Sequence, residues 1–297
     1  MSRPNELIQL YLTNICNSGC KTCNIWRNRN VQELPVDIVL ENILKCYPNA
    51  DYVFGGGEFT LYSQRDILLQ YCDEHNINYT VLSNAVRLPL LKDLVMDHNV
   101  KNLTISCDGI KHDEIRGVTG NLRNIEYVIK QFHCMVDNIK ISYTLSKFNE
   151  SCIDNDMAYF RALGIKKIYF CIAQNMDLLN ASGDITPNIQ SLKYMYESYG
   201  YMLYDKDLQM LEDFINGIHK RCDSTNDVHT IYTNGDVVRC QSYLSKDVLG
   251  NIKEDKLSKI LLYSYLSKDF NCQYFNCPYN DICELACQRR YDYEDRV

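Results

Sequence analysis

LIQLYLTNICNSGCKTCNIW, residues 7–26, begins as a strand and ends as a loop of cysteines. The apolar run from Leu7 to Leu12 reads as a strand ending at Thr13-Asn14. Cys16, Cys20 and Cys23 are spaced by four and then three residues, which also places them on one face of a helix, where Cys is a common core residue. The intervening Asn17, Ser18 and Gly19 are poor helix-interior residues, so a cysteine-bearing loop directly after a strand is the better reading.

Outward from this stretch the pattern alternates. VDIVLENILKCY (36–47) has helical apolar spacing, DYVFGG (51–56) is strand-like, RDILLQYCDEH is helical and NYTVLS (78–83) is strand-like. LPLLKDLVMDH, NLRNIEYVIKQF and NDMAYFRALG continue the helices, and VKNLTIS (100–106), NIKISYTL (138–145) and IKKIYFCIA (165–173) the strands. Six strand-helix units predict an α/β fold on a parallel sheet, with sites at the carboxyl ends of the strands. Beyond Gln174 the rhythm stops. Residues 186–217 read as helical, HTIYTNGDVVRC (229–240) as a hairpin turning at Asn234-Gly235, and residues 254–267 as a helix before a cysteine-rich end. A boundary near residue 218 divides the chain into regions 1–217 and 218–297.

At 297 residues the chain is long enough for one barrel-like domain and a smaller one. No run approaches the ~20 apolar residues of a membrane span, and the amino terminus lacks an export signal, so a cytoplasmic protein is expected. A net charge of -7 without a block of Lys and Arg argues against nucleic acid as a partner. Fifteen cysteines in a reducing compartment are more readily metal ligands than disulfides. Three lie in the opening loop, six between Cys222 and Cys287, and six are scattered singly. The six histidines show no ligand spacing.

Three thiolates can hold an iron-sulfur cluster and leave one iron without a protein ligand, open to a small molecule bearing an amine and a carboxylate. FGGGEFT (54–60) supplies Gly55, Gly56 and Gly57 for close backbone approach and Glu58 as acceptor for a ligand ammonium; a glycine run alone would equally be a tight turn. Taken together, CX3CX2C after the first strand, GGE after the second, LSNA (82–85) after the third, and ISCDG (105–109) with HDEIRG (112–117) after the fourth resemble the radical S-adenosylmethionine (SAM) enzymes. The resemblance implies a partial (β/α)6 TIM-like barrel. It further implies a 4Fe-4S cluster on Cys16, Cys20 and Cys23, the SAM amine held by Gly56, Gly57 and Glu58, and Ser83, Ser106 and Asp108 near the SAM pocket. Thr22 stands where the family usually has an aromatic residue, with Trp26 close by, and Phe59 where it usually has Pro.

The carboxyl-terminal cysteines carry a second resemblance. Cys222, Gly235 and Cys240, followed by Cys277-X5-Cys283-X3-Cys287, are similar to the SPASM and twitch auxiliary-cluster domains. This implies a small α+β domain with one auxiliary 4Fe-4S cluster on Cys222, Cys240, Cys283 and Cys287. Cys272 and Cys277 could replace one of these or help hold a second cluster. Four thiolates suit a structural zinc equally well on composition alone.

Cys46, Cys72, Cys134 and Cys152 are expected in the core. Cys107 and Cys171, near carboxyl ends of strands, are candidate hydrogen-atom donors to a substrate radical, although each is also readily a core residue. The resemblance implies reductive cleavage of SAM to a 5'-deoxyadenosyl radical, hydrogen abstraction from an unactivated carbon, and an external flavodoxin- or ferredoxin-type reductant. With only six residues before the first strand, the expected substrate is a sugar or other small polar metabolite, dehydrogenated or epimerised. The alternatives are a ribosomal peptide, crosslinked or epimerised, and a non-catalytic iron-sulfur electron carrier or sensor.

Overall fold

The computed structural model describes residues 7–173, 184–216, 228–238 and 248–266. Six strands run parallel: β1 (Leu7–Thr13), β2 (Asp51–Gly56), β3 (Asn78–Ser83), β4 (Asn102–Ser106), β5 (Asn138–Leu145) and β6 (Tyr169–Ile172). Helices fill the crossovers: α1 (Val36–Val39), α2 (Arg65–Glu74), α3 (Leu88–Asp97), α4 (His112–Arg116), α5 (Asn121–Gln131) and α6 (Ile153–Ala162). This is the parallel α/β sheet that the alternation predicts, since a parallel pair needs a helical crossover to return the chain, and the partial barrel that the resemblance implies.

Strands end where the side chains dictate. Alternation along β1 buries Ile8, Leu10 and Leu12 completely and leaves Gln9 and Tyr11 half-buried. The same period puts Tyr52 and Phe54 of β2, Leu103 and Ile105 of β4, Ile141 and Tyr143 of β5, and Phe170 of β6 into one core with Leu68, Leu69, Leu91, Ile125, Met157 and Phe160 of the helices. The 36–47 stretch is helical with a twist: α1 passes into a wide turn over Leu40–Leu44, where the Lys45 N–H reaches back five residues to the Leu40 carbonyl.

Beyond the barrel lie α7 (Ile189–Tyr199), α8 (Asp205–Ile215), β7 (Val228–Ile231), β8 (Asp236–Val238), β9 (Val248–Asn251) and α9 (Leu257–Leu266). The hairpin turns at Gly235, whose φ of +94° suits glycine. β7 pairs parallel to β1, so one nine-stranded sheet runs β6-β5-β4-β3-β2-β1-β7-β8-β9. The boundary near residue 218 lies outside the described residues, and no described helix is long and apolar enough to cross a membrane.

Cys72 is fully buried and Cys152 nearly so, as expected, and Cys46 is half-buried. Cys134 is exposed instead. It ends the short turn Phe132–Cys134 after α5, in which Phe132 takes the core position.

Candidate functional site

The cysteine loop leaves β1 and is crossed at once by the glycine loop leaving β2. The Gly57 N–H donates to the Thr13 carbonyl at 2.7 Å and the Glu58 N–H to the Ile15 carbonyl at 2.8 Å. A Cβ on Gly56 would lie 2.3 Å from the Thr13 oxygen, and one on Gly57 2.2 Å from the Ile15 oxygen. Only glycine permits backbones this close. The reason for these glycines is therefore partly internal, because they lock the GGE loop onto the cysteine loop, while Gly56 and Gly57 also line a cavity.

Glu58 is 2 % exposed and braces the loops after β2 and β3. Its Oε1 accepts from Thr60 Oγ1 and Ser83 Oγ, each at 2.8 Å, and from the Thr60 N–H at 3.3 Å. Oε2 accepts from the Asn84 N–H at 2.8 Å, which leaves acceptor capacity on that oxygen. Burial pushes the carboxyl above its ordinary range despite these four donors. Ser83 is fully engaged here, its hydroxyl also accepting from the Ala85 N–H.

Asn84 carries the brace to the cysteines. Its Nδ2 lies 2.8 Å from Asn17 Oδ1, 2.9 Å from Ser18 Oγ and 3.9 Å from Cys16 Sγ, and its carbonyl accepts from Asn121 Nδ2. Trp26 closes the other side, Nε1 donating to the Cys23 carbonyl at 2.8 Å and the Cys20 carbonyl at 3.3 Å. Burial pushes the Cys16 thiol up to about 12 and Cys23 to about 11, and each thiol is within electrostatic range of the other cysteines.

The fourth-strand motif comes in from the opposite side. The Gly19 N–H donates to the Arg116 carbonyl and the Lys21 N–H to the Ile115 carbonyl, both at 2.8 Å, so the end of α4 is docked on the loop. Gly117, at φ +66°, approaches Gly19 so closely that a Cβ would lie 3.0 Å from its oxygen. The Arg116 guanidinium clasps Asp108 through Nε–Oδ2 at 2.5 Å and Nη2–Oδ1 at 3.0 Å, with both side chains largely buried. Burial works against the Arg116 charge, yet Asp108 and Cys20 outweigh it and hold the guanidinium firmly protonated. Burial likewise raises the Cys20 thiol, and Arg116 opposes that rise both as a charge and as a hydrogen-bond donor. Asp108 thus has each oxygen occupied by Arg116, behind the cysteine loop.

Ser106 is half-buried on the inner face of the sheet, where its register partner is Ser142. Ser142 Oγ lies 3.8 Å from Cys171 Sγ, so Cys171 belongs to that face as well. Cys107 does not, being completely buried, with its thiol raised beyond the ordinary range by desolvation. Beside the glycines, Tyr11, Asn14, Asn24, Arg27, Gln32 and Tyr232 help to line a cavity of about 470 Å³, and the Tyr11 and Tyr232 rings stack 5.0 Å apart. Cys222, Cys240, Cys272, Cys277, Cys283 and Cys287 lie outside the described residues.

The donor set fits a cluster of several irons better than a single ion. Among the described residues no three His, Cys, Asp or Glu side chains close on one metal position, yet three thiols share one loop. Asn17 Nδ2 is buried in the same loop without a hydrogen-bond partner, and the Ile25 N–H and Asn84 Nδ2 face Cys23 Sγ and Cys16 Sγ from 3.5 and 3.9 Å, so donors already face two of the sulfurs. Sequence reasoning singled out the cysteines and Glu58 but missed Asn84 and Arg116. Both sit inside quoted motifs, yet their partners are 66 to 68 and 96 residues away in the chain, and nothing local marks them.

No curated protein matches the sequence. Three solved structures share the fold. SuiB of Streptococcus suis bound to its precursor peptide SuiA is 17% identical, with 95% of this chain and 72% of that chain covered at a TM-score of 0.71. Native anSMEcpe with bound AdoMet and the Cp18Cys peptide is 18% identical, covering 95% and 88% at 0.65. BtrN in complex with AdoMet and 2-DOIA is 13% identical, covering 88% and 83% at 0.50. The family match itself spans residues 10–160, from β1 through α6, and takes in every residue of the braced loops. With its cysteine, glycine and fourth-strand motifs joined at the strand ends, the chain belongs to the radical SAM superfamily, whose members work with a 4Fe-4S cluster and SAM.

Proposed function

We propose that this protein is an enzyme that cleaves SAM reductively and abstracts a hydrogen atom from an unactivated carbon of a peptide. The observation that carries the reading is the three-cysteine loop cross-braced to the GGE loop by backbone hydrogen bonds and by Asn84. Cys16, Cys20 and Cys23 would hold a 4Fe-4S cluster, which when bound supplies the single electron that splits SAM into methionine and a 5'-deoxyadenosyl radical. Gly56 and Gly57 offer backbone to the methionine end, and the spare acceptor capacity of Glu58 suits its ammonium. Ser106, half-buried on the inner face, would lie near the SAM pocket. Asp108 serves it indirectly, through Arg116.

A peptide substrate is supported by Arg27 on the cavity wall, whose guanidinium suits a peptide carboxylate. SuiB and anSMEcpe, which share the fold, are described in complex with peptides. A second reading, a sugar or other small polar metabolite, is favoured by the half-buried inner-face hydroxyl of Ser142, which suits a polyol. Cys171 on the inner face is the candidate hydrogen-atom donor for an epimerisation; without such donation the same radical leads to oxidation.

An auxiliary 4Fe-4S cluster on Cys222, Cys240, Cys283 and Cys287, with Cys272 or Cys277 as substitutes, would accept an electron in the oxidative case. The proposed setting is the cytoplasm, with a flavodoxin- or ferredoxin-type donor and 15 reduced cysteines.

The test is iron, sulfide and zinc content after anaerobic reconstitution, wild type against Cys16/Cys20/Cys23→Ala, with 5'-deoxyadenosine measured in the same samples. About eight irons, falling by about four together with loss of SAM cleavage, is the expected result on the four-iron cubane count. Iron that stays constant in the variant overturns the assignment of the loop. About four irons with retained zinc removes the electron-accepting role of the carboxyl-terminal site. Turnover of a leader-bearing peptide against free sugars separates the two substrates.

A further inference from the structure

We propose that the buried Arg116–Asp108 pair sets the reduction potential of the cluster on the cysteine loop, with the guanidinium favouring the reduced state and the carboxylate moderating it. The inference rests on the reading that Cys16, Cys20 and Cys23 hold that cluster.

Three features of the geometry point to Arg116. Its backbone is fixed relative to Cys20, because Gly19 and Lys21 donate to the Arg116 and Ile115 carbonyls and Gly117, at φ +66°, packs closely on Gly19. The guanidinium itself is fixed, since Asp108 grips it through two parallel hydrogen bonds and cannot swing away from it. Both charges are largely withdrawn from water, the Asp108 side chain being 2% and Arg116 15% exposed, so their field on the neighbouring sulfur is weakly screened. Among the described residues Lys21 is also near in sequence, but it is exposed and spent on Glu114 at 2.7 Å.

The direction follows from charge. Reduction adds one electron, delivered by an external low-potential one-electron donor, to the cluster core; no bond is made or broken and the net charge becomes one unit more negative. A cation held against a ligating thiolate stabilises that product, and a hydrogen bond to the sulfur acts in the same sense. The carboxylate, of opposite sign, offsets part of the effect. The member of the pair whose backbone is docked on the cysteine loop is Arg116, through the bonds from Gly19 and Lys21, so the positive charge is the one tied to the neighbours of Cys20.

The experiment is a mediated redox titration, followed by electron paramagnetic resonance, of the full chain reconstituted anaerobically without SAM. The signal lost in Cys16/Cys20/Cys23→Ala identifies the cluster concerned. Arg116→Met is expected to shift its midpoint to a more negative potential, Asp108→Asn to a more positive one, and Arg116→Lys to fall between wild type and Arg116→Met. Opposite shifts from the two halves of one ion pair are not the signature of a merely structural role, which would loosen the loop in both variants alike. Shifts of the same sign, or an unmoved midpoint with the signal intact, overturn the proposal. Should Arg116→Met fail to fold, Asp108→Asn alone decides, a positive shift supporting the inference and any other result ending it. If wild type shows no signal that depends on the three cysteines, the assignment of the loop fails first, and iron content reports that separately.

Discussion

On β4 and β5 the helix-facing side chains are Leu103, Ile105, Ile141 and Tyr143, all fully buried, whereas Ser106, Lys140 and Ser142 of the opposite parity are half-buried and polar. The two faces come from the same strands one residue out of phase. The outer face is packed by Phe54, Phe59 and Tyr79, with ring centroids 5.4 to 5.7 Å apart, and meets the helices. The inner face keeps hydroxyls, a thiol and an amine, with Lys140 Nζ donating to the Tyr169 hydroxyl at 2.8 Å and Ser142 Oγ lying 3.8 Å from Cys171 Sγ. A polar face of this kind contributes less to stability than the packed one and offers groups that a ligand can engage. The outer face supplies the rigidity that makes the placement of the inner groups reproducible.

The comparison is broken or sharpened by substitution. Phe54→Ala on the outer face should cost ~3–5 kcal/mol, the range for large-to-small changes in a packed core, read from urea denaturation; a loss under 1 kcal/mol would dissolve the distinction between faces. Acid should act on the outer side as well. His112 is fully buried, its Nδ1 accepting from the Asp108 N–H, and burial followed by Arg116 lowers its pKa to about 4. Its neutral form is the one the fold accommodates, so this contribution is intact above the unfolded value near 6.5 and is lost as pH falls toward 4. Between pH 7 and pH 5 the loss should be about 2 kcal/mol. His112→Gln should flatten that part of the stability-pH curve, and an unchanged slope would assign it to other groups.

Smaller effects belong to the braces and the inner face. Thr60→Val removes one hydroxyl donor from buried Glu58 and should cost about 1–2 kcal/mol, with weaker SAM binding by calorimetry. Cys171→Ser should leave stability within about 0.5 kcal/mol of wild type. In an epimerising enzyme the same variant should lose solvent deuterium incorporation at the substrate carbon while still forming 5'-deoxyadenosine. Deuterium incorporation that persists would remove Cys171 from the mechanism.

Much of the fold was legible because apolar period is a local property. The strands at 51–56, 78–83 and 138–145 fall where the alternation places them, and the Asn234-Gly235 turn where the hairpin signal does. VKNLTIS and IKKIYFCIA are trimmed to Asn102–Ser106 and Tyr169–Ile172, since flanking residues share the pattern without gaining a partner strand. The partner of β7 was not legible. Any exposed parallel edge would accept it, and only tertiary packing selects β1. In the site, cysteines and glycines announce themselves by type, whereas Asn84 and Arg116 are common residues made important by what the fold sets beside them. Cys171 could be assigned to the inner face from its alternation with Phe170 and Ile172; Cys107, one residue past the end of β4, could not.

The pairing of β1 with β7 has a consequence for the order of events during synthesis. Leu7 through Leu10 emerge among the first residues of the described chain, yet their hydrogen-bonding partners, Val228 through Ile231, are translated some two hundred residues later. Until then the strand that carries the cysteine loop has one open edge, a template for mispairing that a ribosome-bound chain must tolerate for the longest interval in this sheet. Completion of that edge ties the first described strand to one of the last described, so a nascent chain released before the hairpin is made would present its cysteine loop on an unfinished sheet.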